Sequence, residues 1–287
     1  MRRILLIFIL LICSTTVSLS QQIKPMLGER LNWSHPLARG LVGCWLMNEG
    51  RGSIIQDSSN RLQGIGNVIP TWIADYTNYN GTTQKWTLSS CPFDPEQQFS
   101  LLAEIRIPSI SAEQTFLGFG DVSGGSGARV DFGLYSDGKF RLLLRQNGAT
   151  TIVNLFSVGS SLADNRWYKL AFTFNGVTRA YKAYVDNKLL ISGTSSTFTA
   201  IDFTKGSIGS RYYEGSYSNY WSGDIKTISI YNRALSNAEV AQLYREPFAM
   251  FDTYPVWWFY IFGEGGEGAG GQMIFGGQRI LDGGVVR

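Results

Sequence analysis

The chain has 287 residues, of which 44% are apolar and 14% aromatic, and a formal net charge of +3. This length is sufficient for one large domain with a full hydrophobic core. Basic and acidic residues are nearly balanced and do not cluster, which argues against a nucleic-acid-binding protein and against an acidic solvating tail.

Residues 1–20 have the pattern of a signal peptide. Arg2 and Arg3 precede an apolar run from Ile4 to Cys13, which is too short to span a bilayer. An uncleaved signal anchor is the alternative. We expect cleavage after residue 20, which lowers the formal charge from +3 to +1, and a protein that is secreted or extracellular, either free or attached to a surface. Residues 21–40 then form a polar lead segment.

Two cysteines, Cys44 and Cys91, remain in the mature chain. An exported protein meets oxidising conditions, so a disulfide between them is one alternative. The other is a pair of buried thiols that act as small apolar residues. The sequence leaves both open because it does not show whether the two Cβ atoms face each other.

Residues 41–232 have the rhythm of an all-β chain. Short alternating or apolar runs are separated by turn residues such as Asn175-Gly176 and Asp186-Asn187, which tolerate the positive φ of tight hairpins. This many strands with such turns predict two packed antiparallel sheets. The predicted strands are 41–47, 84–90, 98–107, 114–119, 128–135, 139–146, 150–156, 166–174, 179–185, 188–192, 205–209 and 224–232.

A helix start follows the last predicted strand. Ser236 can cap the first N–H groups of a helix, and Glu239, three residues later, can reach back to the cap. Val240 and Leu243 supply the apolar stripe. The sequence thus predicts one short helix near the end of the β region.

Five motifs in this region occur in the order found in a known family. They are Leu41–Gly50, Asn165–Phe174, Tyr184–Lys188, Gly206–Ser210 and Asn232–Ser236. Together they resemble the laminin-G-like, or concanavalin A-like, lectin/glucanase jelly roll. The resemblance covers about residues 40 to 246 and implies an antiparallel two-sheet jelly-roll domain over residues 41–246.

Two segments follow this domain. Residues 247–262 include the aromatic run 254–262, which is predicted to be a last strand on the sandwich, although an exposed patch that docks a partner or a lipid surface is the alternative. The run is too short to span a membrane. Residues 263–287 contain ten glycines and are predicted to be a flexible tail.

No catalytic motif stands out. The glucanases of the resembled family carry a Glu-x-Asp-x-x-Glu run, and this chain has none. Glu104 could be the first acid of such a run, but Arg106 and Pro108 occupy the next positions on the same face of the strand. The single histidine, His35, lies in the lead segment, and no cysteine and histidine spacing indicates zinc. The sequence therefore predicts a protein that is not an enzyme.

Calcium is the one cofactor that the resemblance brings into question. Many relatives read Gly-x-Ile-Asp in the closing strand, where the aspartate can serve a structural ion, but this chain has Lys226 in that place. Asp224, Asp57 and Glu49 are the candidate ligands that remain. Asp57 is explained equally well by an Asx turn.

Sugar binding requires exposed aromatic rings beside polar groups. One predicted loop offers both, and a second cluster contributes two more tyrosines; the alternative is that these rings cap the open ends of the sandwich. The candidate ligand-binding residues are Tyr212, Tyr213, Tyr217, Asn219, Tyr220 and Trp221 in the first group and Tyr76 and Tyr79 in the second.

These observations lead to three hypotheses. The first is a secreted, non-enzymatic recognition module that binds a glycan or a glycosylated protein through edge loops. The second is a structural protein of a cell surface or virion that assembles through residues 254–287. The third and least favoured is a glycan-cleaving enzyme.

Overall fold

The computed structural model describes residues 23–107, 112–121, 127–158, 161–162, 165–198, 201–252, 273–275, 278–281 and 284–285. The chain divides into two units, Met1–Phe251 and Asp252–Arg287. The predicted signal peptide and the aromatic run 254–262 lie outside the described residues. Within the described part, no helix is long and apolar enough to cross a membrane.

The first unit is built almost entirely of strands. Among its described residues, the helical elements are α1 (Asn237–Arg245) and two single 3-10 turns, Pro36–Ala38 and Asn147–Ala149. Its strands are β1 (Leu41–Trp45), β2 (Ile54–Ile55), β3 (Gly64–Ile65), β4 (Thr71–Ile73), β5 (Tyr76–Asn80), β6 (Trp86–Leu88), β7 (Gln98–Arg106), β8 (Gln114–Gly120), β9 (Arg129–Leu134), β10 (Phe140–Arg145), β11 (Thr151–Val158), β12 (Trp167–Asn175), β13 (Ala180–Val185), β14 (Lys188–Thr194), β15 (Lys205–Ile208), β16 (Arg211–Tyr213), β17 (Ser216–Ser218) and β18 (Ser222–Tyr231).

These strands form two large antiparallel sheets and one small hairpin. The first sheet has the order β14-β13-β12-β7-β18-β5-β4, with β1 also paired to β18. The second sheet has the order β11-β10-β9-β8-β15-β6-β3-β2, and β16 pairs only with β17. The prediction of an all-β fold with two antiparallel sheets and one short helix is confirmed.

The main core lies between the two sheets, because alternate residues of each strand point inward. Phe99 on β7 packs against Phe172 on β12, with ring centroids 5.9 Å apart, and Phe132 of the second sheet packs against Phe140 at 5.5 Å. β1, β8 and β9 are nevertheless buried at every position, so other parts of the chain cover their outer faces.

A second apolar cluster lies outside this core, where α1 meets β1. Val240 and Leu243 of the helix are buried there beside Cys44 and Tyr231. The predicted capping box is present: the Ser236 hydroxyl accepts from the Glu239 backbone N–H, and the Glu239 carboxylate accepts from the Ser236 backbone N–H at 2.8 Å. The helix therefore begins where the sequence indicated.

Both remaining cysteines are free thiols. Cys44 is buried in the cluster beside the helix, whereas Cys91 packs against the core between the sheets and donates to the Phe93 carbonyl at 3.2 Å. Burial raises the pKa of both thiols. The disulfide alternative is therefore not realised in this structure, because the two side chains belong to different clusters.

The second unit contains short strands, which the prediction of a flexible tail did not include. They are β19 (Met273–Phe275), β20 (Gln278–Leu281) and β21 (Gly284–Val285), paired as an antiparallel meander. In the sequence, Gly276-Gly277 and Asp282-Gly283 stand between these strands. Such pairs are two-residue hairpin signals, so the glycines there separate strands.

We predict that Glu239→Gln destabilises the protein by about 0.5–1 kcal/mol at pH 7, since Gln can keep the capping box but loses the ion pair with Arg233 at 2.7 Å and the negative charge at the helix N-terminus. Burial alone would raise the pKa of Glu239, but bonds from Arg233 and Ser236 lower it from 4.5 to about 2. Its stabilising contribution is therefore present above about pH 4.5 and is lost as the pH falls through about 2.

Urea unfolding between pH 2 and pH 7 measures this effect, with Glu29→Gln in the lead segment as the control. The difference in free energy of unfolding between wild type and Glu239→Gln should shrink over the acid range. A difference that stays constant with pH would contradict the role given to the ionised carboxylate.

Candidate functional site

The structure separates the predicted sugar-binding residues into buried and accessible ones. Trp221, Tyr212 and Tyr79 are only 0%, 3% and 2% exposed. The Trp221 ring packs into the core with its centroid 5.4 Å from that of Phe116. Trp221 and Tyr79 fill space inside the sandwich, whereas Tyr212 is covered within the β16–β17 hairpin, where its ring centroid lies 5.0 Å from that of Tyr217. The prediction that these three rings meet a ligand is therefore wrong.

The other predicted residues are half-buried. Tyr217 and Tyr220 surround the Lys85 ammonium, which lies 4.4 and 5.5 Å from their ring centroids. Tyr76 lies on the first sheet, where its ring is 5.3 Å from that of Trp167. Asn219 and Tyr213 belong to a different group, formed around the hairpin of β16 and β17.

This hairpin lies close against the outer face of β8. Two glycines of that strand, Gly118 and Gly120, make the approach possible. A Cβ atom on Gly118 would stand 2.9 Å from the Ser210 carbonyl oxygen, and one on Gly120 would come still closer to the carbonyl of Tyr212. The missing side chains thus leave room for a second layer over the second sheet.

Beneath the hairpin, one buried carboxylate forms ion pairs with three arginines. Asp131 on β9 is fully buried. Its Oδ2 atom accepts from Nε of Arg129 at 3.0 Å, from Nε of Arg211 at 3.0 Å and from Nη2 of Arg141 at 3.4 Å. These arginines come from β9, the hairpin and β10, so one carboxylate ties the hairpin to two strands of the sheet.

A second carboxylate, Glu113, precedes β8 and bonds the same group. It accepts from Nη2 of Arg141 at 3.0 Å, from Nδ2 of Asn219 at 2.6 Å and also from Arg211. Asp131 and Glu113 therefore share two arginine partners. The two carboxyl groups are thus linked through the guanidinium groups of Arg141 and Arg211.

The group carries an excess of positive charge. Arg145, on β10 like Arg141, belongs to it: burial lowers its pKa and the nearby charge of Arg129 lowers it further. We call Arg129, Arg141, Arg145 and Arg211, with Asp131 and Glu113, the arginine cluster. Four guanidinium groups face two carboxylates, and planar guanidinium forks bind carboxylates in a bidentate manner.

Tyr213 covers part of the arginine cluster. Its ring centroid lies 4.3 Å from the guanidinium carbon of Arg129, a cation–π contact. A hydrogen bond with Glu214 is the main cause of the raised pKa of the Tyr213 hydroxyl, and burial adds to it. The half-buried tyrosine, Arg145 and Asn219 form the accessible margin of the cluster.

Sequence reasoning missed the arginine cluster because it searched for two acids on a single strand. Glu113 and Asp131 come from different strand regions and meet only through shared arginines. A signal was nevertheless present: Arg129 and Asp131, and likewise Arg141 and Arg145, occupy the outward positions of two strands whose inward positions are apolar.

The candidate calcium ligands do not meet. Asp224 accepts from Arg106 at 2.6 Å and from Asn78 at 2.7 Å. Asp57 accepts from the backbone N–H groups of its own turn, and Glu49 accepts from a backbone N–H at 2.6 Å. Among the described residues, no three acidic, histidine or cysteine side chains are grouped to hold a metal. The Asx turn explains Asp57.

The model of one protein family, the concanavalin A-like lectin/glucanases superfamily, matches residues 80–241. The chain belongs to this superfamily. No curated protein matches it.

Solved structures with the same fold include sialidases. Trypanosoma rangeli sialidase in complex with sialic acid has 19% sequence identity and a TM-score of 0.56, and the match covers 74% of this chain and 33% of that chain. Its complex with 2,3-difluoro-KDN gives a TM-score of 0.57 with the same coverage. The chain thus spans about a third of that enzyme, and at this identity the likeness shows the fold.

These comparisons correct the prediction of a non-enzymatic module. Similar structures are sialidases, and the comparisons favour neither that module nor the assembly alternative. A missing run of paired carboxylates is a sign against glycan cleavage only for enzymes that use two carboxylates. Sialidases use a tyrosine nucleophile and are an exception to the two-carboxylate mechanism. The absence of the paired-carboxylate run therefore does not exclude glycan cleavage.

We predict that Asp131→Asn costs about 3–5 kcal/mol of stability, since it leaves buried guanidinium groups without their shared counter-charge. Urea unfolding at neutral pH measures the loss. The matched control is Asp137→Asn, which removes a partly exposed carboxylate 3.2 Å from Lys139 and should cost about 0–1 kcal/mol. Equal losses in the two variants would contradict the structural role given to Asp131.

Proposed function

We propose that this protein takes part in the hydrolysis of glycans that carry acidic sugars, and that the arginine cluster holds the sugar carboxylate. The observation that carries the proposal is the charge of the cluster, in which four arginines face two carboxylates on the outer side of the second sheet. The likeness to a sialidase that binds sialic acid supports the choice of an acidic sugar.

The accessible margin of the cluster suits such a ligand. Arg145 donates to the Thr151 hydroxyl through Nε at 3.3 Å, and a guanidinium offers five N–H donors, so the group can bond a carboxylate as well. Asn219 and the hydroxyl of Tyr213 add partners for sugar hydroxyl groups. Arg141 and Asp131 lie deeper and keep the margin in position.

Bond cleavage requires a nucleophile and a proton acceptor, and Tyr213 with Glu214 is our candidate pair. The raised pKa keeps the tyrosine hydroxyl protonated at neutral pH, so it needs a base to act as a nucleophile. Glu214 already shares a hydrogen bond with it. The proton that Glu214 takes from the hydroxyl can then pass to the oxygen of the leaving group.

We expect residues 21–287 to bind sialyllactose more tightly than lactose and to release sialic acid from it. Arg145→Gln should weaken binding of sialyllactose about tenfold or more, because a charge-assisted hydrogen bond contributes roughly 1.5–3 kcal/mol. Lactose binding should not change. Isothermal titration calorimetry measures binding, and assay of free sialic acid measures release.

The matched control is Arg51→Gln, which removes an exposed arginine outside the cluster. Tyr213→Phe separates the two parts of the proposal, since it should abolish release while the sugar carboxylate still binds through Arg145, although with the loss of one hydroxyl contact. Equal affinity for sialyllactose and lactose would contradict the carboxylate site. Release that Tyr213→Phe leaves intact would contradict the assigned nucleophile, and binding without any release would contradict cleavage by this chain.

A further inference from the structure

One edge of β18 is shared by two strands that leave a gap between them. β5 pairs with Ser222 to Ile225, and β1 pairs with Ile228 to Tyr231. Lys226 falls between these two stretches, and it is also the extra residue of a bulge in the pairing with β7 on the other edge. The residue left over at a bulge has no ladder partner.

Three backbone carbonyl groups meet in this gap. They belong to Lys226, to Leu46 directly after β1, and to Asp75 directly before β5. Since all three lie where ladder pairing stops, each needs another donor. The donor is the ammonium group of Lys24 in the lead segment, which bonds Lys226 at 3.0 Å and also bonds Leu46 and Asp75.

The surroundings of the gap favour a cation. Lys226 lies 3.4 Å from the Asp75 carboxylate and 3.5 Å from that of Glu104. Burial is the main influence on Lys24 and lowers its pKa to about 8; the charge of Lys226 lowers it further, while the charges of Asp75, Glu104 and Glu49 act in the opposite direction. Atom Oε2 of Glu49 is buried and has no hydrogen-bond partner among the described residues.

Carbonyl and carboxylate oxygens are also the ligands that calcium takes. The family resemblance suggested a structural ion near the position of Lys226. The carbonyl oxygen of Lys226 does bond a cation, which is the Lys24 ammonium. A metal ion does not fit there in the intact chain, because a lysine ammonium with three N–H donors already bonds the three carbonyl oxygens.

We propose that Lys24 is a built-in cation, which takes the place of a metal ion in the gap between β1 and β5 and fastens the lead segment to the first sheet. Removal of the side chain turns the gap into a calcium site. This assignment is independent of the glycan-cleavage proposal, since it concerns the first sheet and the arginine cluster belongs to the second.

The test uses residues 21–287 with Lys24→Ala, which opens space in the gap, and Lys24→Met, which removes the charge but keeps the bulk. Thermal unfolding is followed in EDTA and in about 5 mM CaCl₂, above the dissociation constants of weak extracellular calcium sites. Both variants should unfold about 5 °C below wild type in EDTA, because three carbonyl groups lose their donor.

Calcium should restore the melting temperature of Lys24→Ala only, and calorimetry should find one calcium site in that variant and none at this position in wild type. Lys188→Ala, which removes an exposed lysine, is the control and should behave as wild type. The proposal is overturned if calcium stabilises wild type and Lys24→Ala abolishes that effect, if folded Lys24→Ala melts like wild type, or if destabilised Lys24→Ala binds no calcium.

Discussion

The backbone N–H and C=O groups along both edges of a buried strand need hydrogen-bond partners. In the first sheet, β18 has such partners on each edge. β7 covers one edge, while β5 and β1 lie end to end along the other. The strand thereby joins the beginning of the domain to its centre and then leads into α1. Where two partners share one edge, a break in the ladder is unavoidable, and Lys24 fills it.

The second sheet uses its two faces for different purposes. Its inward residues complete the aromatic core, and four of its outward residues on β9 and β10, namely Arg129, Asp131, Arg141 and Arg145, are charged. Burial of several arginines is tolerable only because Asp131 and Glu113 compensate them. The glycines of β8 then allow a hairpin to close over the sheet. Packing, charge and the candidate chemistry of this face thus depend on one another.

The sequence predicted those features that follow from local patterns. Long strands with clear alternation were found, and the Ser236 and Glu239 spacing located the helix start. Strands of two or three residues such as β2 and β16 are too short to show a period. The burial of Trp221 and of Tyr212 could not be predicted, because the sandwich encloses one ring and the hairpin covers the other.

The candidate sites were harder to predict than the strands and the helix, because their residues are far apart in the chain. Glu113, Asp131 and Arg211 come together only in the folded structure, and no spacing in the sequence predicts their ion pairs. Lys24 is a single lysine in a polar segment and has no distinguishing neighbours. Only the break in the β18 ladder gives it a role.

The contact between Lys24 and Lys226 joins residues 202 positions apart. Contacts of such large sequence separation form late, since the chain between them must be ordered first. On a ribosome, the lead segment is made at the start of synthesis but has no place to dock until β18 has emerged and paired. The bond between Lys24 and Lys226 therefore cannot form before β18 is in place.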